Sequence, residues 1–155
     1  MFDPKCIFCK IADGKIKARI IGQNNNAIAF LDAMPLSIGH TLVIPKSHYQ
    51  KVQEMNREFS SAVFDLVWQV SSAVENAAGV NSSTIAIHNG REAGQEVPHV
   101  HVHIIPRNID DGAGPVHSMF KKRPVSNPEE MDLICDRIKE YYNLIFLPKK
   151  QKKLE

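Results

Sequence analysis

The sequence predicts an α+β domain: an antiparallel sheet of about five strands, one long helix, and a second helix near the C-terminus. Three observations carry that expectation. Residues 99–105, His99-Val100-His101-Val102-His103-Ile104-Ile105, alternate imidazole with β-branched side chains, the period of a half-buried strand. Behind Asn56, residues 57–78 repeat apolar side chains at three- and four-residue spacing, the pattern of a capped amphipathic helix. Two short apolar runs, 18–23 and 27–31, flank Asn24-Asn25-Asn26, a turn whose residues tolerate positive φ. Strands joined largely by hairpins favour a sheet with helices set to one side over a parallel α/β fold.

In chain order, residues 6–11 open with a short helix that stops near Gly14. The hairpin follows, and Asp32 sits where its second strand ends. Pro35 and Gly39 frame a loop into a strand over 40–45, on which His40, Leu42 and Ile44 share a face. Beyond Ser47-His48 the chain turns once before Asn56. In the long helix Phe59, Val63, Leu66, Val67, Val70, Val74 and Ala77 form one core-facing stripe, and Gly79 ends it. Residues 84–88 read as a strand and 89–95 as the loop that delivers the chain to the histidine run, whose pairing should end at Pro106. Segment 107–126 is irregular. Asn127-Pro128-Glu129-Glu130 then starts a helix over about 128–143, with Met131, Ile134, Ile138 and Tyr141 on one side and Cys135 expected to pack.

At 155 residues the chain fits one domain, expected over 1–147 with its core at 6–107, followed by a basic tail at 148–155. A net charge of +2 is too small to argue for nucleic acid, and the Lys121-Lys122-Arg123 run and the tail read as solvated charge. No apolar run approaches the roughly 18 residues that span a membrane. Met1 to Lys5 carries no secretory pattern, and three cysteines do not make a disulfide framework, so a cytoplasmic, reducing setting is expected.

On an extended strand His99, His101 and His103 point to one face, and Val100, Val102 and Ile104 to the other. A neutral imidazole has one donor and one acceptor nitrogen, and its ordinary pKa of about 6.5 leaves the nucleophilic form dominant at pH 7. Such a row can attack, bind an anion or hold a metal. The central ring is expected to lie uncovered beside a pocket.

The alternating run, together with the segment from Phe30-Leu31-Asp32 through Gly39-His40 to Lys46 and His48, and Ala93-Gly94-Gln95, resembles the histidine triad family of nucleotide hydrolases and transferases. The similarity runs from about Cys6 to Arg107 and is nearest to compact, zinc-bearing bacterial-type members. It implies a five-stranded antiparallel sheet, a homodimer, and a purine nucleotide substrate attacked at its α-phosphorus. His101 would be the nucleophile, forming a nucleotidyl-histidine that water then hydrolyses, and His103 would bond the phosphate oxygens. No metal is needed for that chemistry. A backbone carbonyl on the Nδ1 side would hold the attacking tautomer.

The resemblance also implies that Asp32 holds the ribose hydroxyls; on its own it can also be read as a strand-end turn residue. Phe8, Ile11, Phe30 and Leu42 would wall the base, or simply pack. Gly94 and Gln95 would bring backbone N–H groups to the phosphate. Two positions depart from the family's pattern. His88 stands where Asn or Gln usually contacts phosphate, with Asn89 beside it, and Glu96 stands where Ser or Thr is common. Both bear on the leaving group and leave the nucleophile untouched.

Cys6 and Cys9 have the spacing of a zinc knuckle, though CxxC also serves redox sites. His48 and His99 are the candidates for the other two ligands, at positions that match the family's zinc-bearing members. A closed Cys₂His₂ site would be structural. The leading activity is hydrolysis of nucleoside phosphoramidates. A dinucleoside polyphosphate hydrolase and a zinc-stabilised nucleotide-binding module with weak catalysis are the alternatives, and nucleic-acid binding is the least favoured.

Overall fold

A computed structural model of the chain describes residues 1–119, 121, 124 and 127–146. The basic tail at 148–155 lies outside the described residues, as do Lys122 and Arg123. The chain divides into two compact units, Met1–Gly112 and Ala113–Glu155.

The first unit holds α1 (Ile7–Ala12), β1 (Ile20–Gln23), β2 (Ala27–Leu31), β3 (Thr41–Pro45), α2 (Arg57–Ala78), β4 (Ser83–Ala86) and β5 (Val102–Pro106). The strands make a five-stranded sheet in the order β1-β2-β3-β5-β4, and every pair is antiparallel. This is the expected α+β class.

Strand alternation sorts the side chains onto two faces. On one, Ala27, Ala29, Val43, Val102 and Ile104 pack under the α2 stripe of Val63, Leu66, Val67, Val70 and Val74. The two alanines keep β2 low beneath the helix. On the other, Ile28, Phe30, Leu42 and Ile44 meet Cys6, Phe8, Cys9 and Ile11 of the N-terminal segment. His101 and His103, being out of phase with Val102 and Ile104, belong to this second side.

Helix α2 is closed at both ends. Asn56 Oδ1 accepts from Phe59 N at 3.0 Å. Gly79 takes the left-handed conformation (φ 69°), from which Gly79 N–H and Val80 N–H reach the carbonyls of Asn76 and Glu75.

Several boundaries differ from expectation. The strands expected over 18–23 and 84–88 shorten to β1 and β4. The hairpin turn needs no positive φ, since among the described residues no non-glycine residue has one. Instead Asn24 Oδ1 accepts from Asn26 N and Ala27 N, at 3.0 and 2.7 Å.

The largest difference is in the histidine run. Regular pairing begins only at Val102, so His99, Val100 and His101 precede β5. Partner strand β3 ends at Pro45, which has no N–H to donate. Val100 N–H turns instead to the Tyr49 carbonyl at 2.7 Å, and His99 N–H to Val97 at 2.7 Å.

In the second unit, α3 (Pro128–Phe146) starts at Asn127, whose Oδ1 accepts from Glu130 N at 2.8 Å. It runs three residues past the expected end. Its apolar side, Met131, Ile134, Ile138 and Tyr141, is exposed, and so is Cys135, which does not pack as expected.

Candidate active site

The short irregular stretch ahead of β5 builds the centre of the site. Because His99–His101 stand outside the ladder, their backbone carbonyls are free to serve side chains. His101 Nδ1–H donates to the His99 carbonyl at 2.6 Å. That bond leaves the lone pair on Nε2. Burial is the main cause that holds the His101 pKa below the usual 6.5, partly offset by the bond to His99.

The ring is 5% exposed, covered by the edge of Phe8 with ring centres 5.2 Å apart. It is therefore not the uncovered imidazole the sequence led one to expect. Phe8 packs there because α1 closes over this face. Among the described residues, the buried side-chain N and O atoms without a hydrogen bond are Ser37 Oγ and His103 Nε2.

His103 lies beside His101, with ring centres 4.9 Å apart. Burial lowers its pKa to about 4, so it is neutral at pH 7. Two further imidazoles flank it, His40 at 5.2 Å and His88 at 5.5 Å between centres. His40 escaped the sequence reading as a site residue. Strand alternation put it on a shared face with Leu42, and the signal that could have found it was the β3–β5 register, which seats Leu42 opposite His103.

The remaining residues named from sequence are placed as follows. Phe30 is buried and meets Phe8 edge-on at 5.9 Å between centres. Asp32 closes a turn through Oδ1, which accepts from Met34 N at 2.9 Å, while its Oδ2 lies 3.5 Å from His40 Nδ1. His88 Nδ1–H donates to the Gly94 carbonyl at 3.1 Å. Asn89 is spent away from the triad, accepting from Val52 N at 2.9 Å and donating to Gln53 at 3.0 Å. The N–H groups of Gly94 and Gln95 donate within their own loop, to Arg91 and Gly90. Gln95 Nε2 donates to the Gln50 carbonyl at 2.8 Å. Glu96 is exposed, and its charge reaches His101, favouring the protonated ring.

Cys6, Cys9, His48 and His99 converge, with their ligand atoms all within 4.8 Å of one another. Cys6 Sγ and Cys9 Sγ stand 3.4 and 3.6 Å from His99 Nδ1, and Cys9 Sγ stands 3.4 Å from His48 Nδ1. In a tetrahedron with Zn–S of about 2.3 Å and Zn–N of about 2.0–2.1 Å, sulfur–nitrogen edges are about 3.5 Å. His99 Nε2–H donates to the Pro45 carbonyl at 2.9 Å, which turns the Nδ1 lone pair toward the thiols. Burial pushes the Cys9 thiol up and holds the His99 pKa at about 4. The four side chains can hold a metal ion.

A HIT domain is matched over residues 13–110, and the chain belongs to that family. Among its relatives is an adenosine 5'-monophosphoramidase of Schizosaccharomyces pombe, 39% identical over 86% of this chain and 95% of that one. An adenylylsulfatase of Arabidopsis thaliana is 38% identical over 68% of this chain and 54% of its own length. Of solved structures, a HIT-family protein of Bacillus subtilis superposes with a TM-score of 0.79 at 36% identity, covering 88% of this chain and 96% of that one. A zinc-bound histidine triad protein of Mycobacterium smegmatis gives 0.65 at 27% identity, covering 90% and 97%.

A pH profile checks the electrostatics. With the His101 pKa held below 6.5, the neutral ring is still the major form at pH 6.5, and an activity that needs it should fall to half only below pH 6.5. The folded pKa of His103 is depressed, so the stability it contributes is full above pH 6.5 and lost as pH falls toward about 4. Urea unfolding at pH 7 and pH 4.5 should show the lower midpoint at pH 4.5.

Proposed function

We propose that the chain is a hydrolase acting at the α-phosphorus of nucleoside phosphoramidates. The observation that carries this reading is the bond from His101 Nδ1–H to the His99 carbonyl, 2.6 Å long, which leaves Nε2 as a lone-pair nucleophile beside a second neutral imidazole. In the first step Nε2 forms a bond to phosphorus while the phosphorus–nitrogen bond breaks, and the amine leaves with a proton taken from solvent, which the attacking water returns in the second step. Water then forms a phosphorus–oxygen bond, breaks the bond to His101 and releases the nucleoside monophosphate. Two displacements replace one harder one. His103 donates to the phosphate oxygens as charge develops. Asp32 holds the ribose, and Phe8 and Phe30 line the base, with His88 on the leaving-group side.

Dinucleoside polyphosphates are the second reading. Glu96 speaks against them, because a departing polyphosphate would carry negative charge near a carboxylate already felt by His101. The charge favours an amine. The relative named above as an adenosine 5'-monophosphoramidase supports an amine leaving group, and the adenylylsulfatase supports adenylyl hydrolysis more generally.

We further read Cys6, Cys9, His48 and His99 as a structural zinc site, which would tie the N-terminal segment to the β3 end of the sheet. Bound there, zinc supplies a closed cross-link and no catalytic water. Thiols kept free for a metal suit the cytoplasm, and among the described residues no helix is long and apolar enough to cross a membrane. A homodimer is supported by the edge strand β4, which among the described residues pairs only with β5, and by exposed Ile85, Phe64 and Trp68.

Two measurements test these readings. In a panel of adenosine phosphoramidate and dinucleoside tetraphosphate, the phosphoramidate should turn over at least about tenfold faster in kcat/KM, and Glu96→Ser should narrow that ratio; a reversed preference overturns the phosphoramidate reading. Zinc at 100 times its Kd should raise the unfolding free energy of metal-stripped protein by about 2.7 kcal/mol. The same addition should leave Cys9→Ala unmoved.

A further inference from the structure

His40 is the fourth imidazole of the cluster, 2% exposed and set one residue ahead of β3. Two contacts bracket its ring. Leu36 N–H donates to His40 Nδ1 at 3.2 Å, and His40 Nε2 stands 2.9 Å from His103 Nδ1. A backbone amide can only donate, so His40 Nδ1 must present a lone pair. A neutral ring then carries its proton on Nε2, facing His103 Nδ1, which has to accept it. His103 in turn keeps its own proton on Nε2. That atom is buried and has no hydrogen-bond partner among the described residues. Each link in this row is forced by the one before it, and the row ends on an unused donor.

We infer that His40 is a positioning residue: it relays the fixed polarity of the Leu36 amide to His103 and so presents the His103 Nε2–H group as a donor for a phosphate oxygen. The identity of that oxygen rests on the function proposed above; the tautomer does not. A buried donor without a partner costs free energy, which a bound anion would recover.

The opposite polarity is the instructive rival. Asp32 Oδ2 lies 3.5 Å from His40 Nδ1 and could accept from a proton there. His40 Nε2 would then accept from His103 Nδ1–H, and His103 would turn a lone pair toward the phosphate, repelling it. The Leu36 amide prevents this, since it sits closer to Nδ1 than the carboxylate does and two N–H groups cannot share that position. Burial, the largest influence on both rings, keeps His40 and His103 neutral and preserves the relay. His88 and His101, whose rings stand 5.5 and 4.9 Å from His103, disfavour a charge there as well.

The test is imidazole ¹⁵N NMR of the full-length, histidine-labelled protein at pH 7.5 without nucleotide. His103 should show a protonated Nε2 and a bare Nδ1. His40→Gln, whose amide nitrogen can still donate to His103 Nδ1, should keep that signature. His40→Leu should turn it into a tautomer mixture, with AMP binding weakened roughly tenfold and kcat lowered more than KM is raised. Leu36→Pro removes the amide donor without touching either ring and should mix the tautomers too, which covers the case in which His40→Leu fails to fold. A His103 ring protonated on Nδ1 in the parent overturns the relay, and so does an unchanged signature in Leu36→Pro or in folded His40→Leu. If the tautomers follow the expected course and no nucleotide is hydrolysed, the proposed activity falls and the relay stands.

Discussion

Two backbone carbonyls, those of His99 and Pro45, decide which ring nitrogen of His101 and of His99 keeps its lone pair. The His99 carbonyl takes the Nδ1 proton of His101, and the Pro45 carbonyl takes the Nε2 proton of His99. Both are available because the chain leaves the sheet ladder there: β3 stops at Pro45 and β5 does not begin until Val102. Had the ladder continued, these carbonyls would have been used by a neighbouring strand. The nitrogen of His101 that keeps its lone pair and the nitrogen of His99 that faces the thiols thus depend on a break in regular structure three residues long.

The same break joins two sites that would otherwise be separate. His99 faces the thiols of Cys6 and Cys9, while its carbonyl orients His101. Phe8, between the two cysteines, lies edge-on to both His99 and His101, at 5.9 and 5.2 Å. Whatever fixes the N-terminal segment therefore fixes the cover of the central imidazole. Burial is the shared cause of the lowered pKa values of His40, His99, His101 and His103. Four rings can be packed this closely because none is charged at neutral pH.

Much of this was legible in the residues. The apolar stripe of α2, its Asn56 cap and Gly79 terminator, and the alternation that puts Val102 and Ile104 opposite His101 and His103 all follow from local spacing. The convergence of Cys6, Cys9, His48 and His99 was expected from motif spacing and resemblance. What escaped is long-range. The cover over His101 comes from Phe8, far back in the chain. The role of His40 depends on strand register and on one amide in the loop that precedes it. The start of β5 was misjudged because alternation continues through His99 and Val100 although pairing with β3 begins only at Val102. Asn89 looked available beside His88, but its side chain closes the turn at Val52 and Gln53.

The central claim is that His101 Nε2, freed by the His99 carbonyl, bonds to phosphorus during turnover. Mass spectrometry of the protein, quenched in acid-free denaturant while an adenosine phosphoramidate is being consumed, tests it most directly. An added adenylyl group, mapped by peptide sequencing to His101 and missing from His101→Ala, is the result expected. Continuing hydrolysis by His101→Ala at the parent rate, or an adduct carried on another residue, would contradict the account.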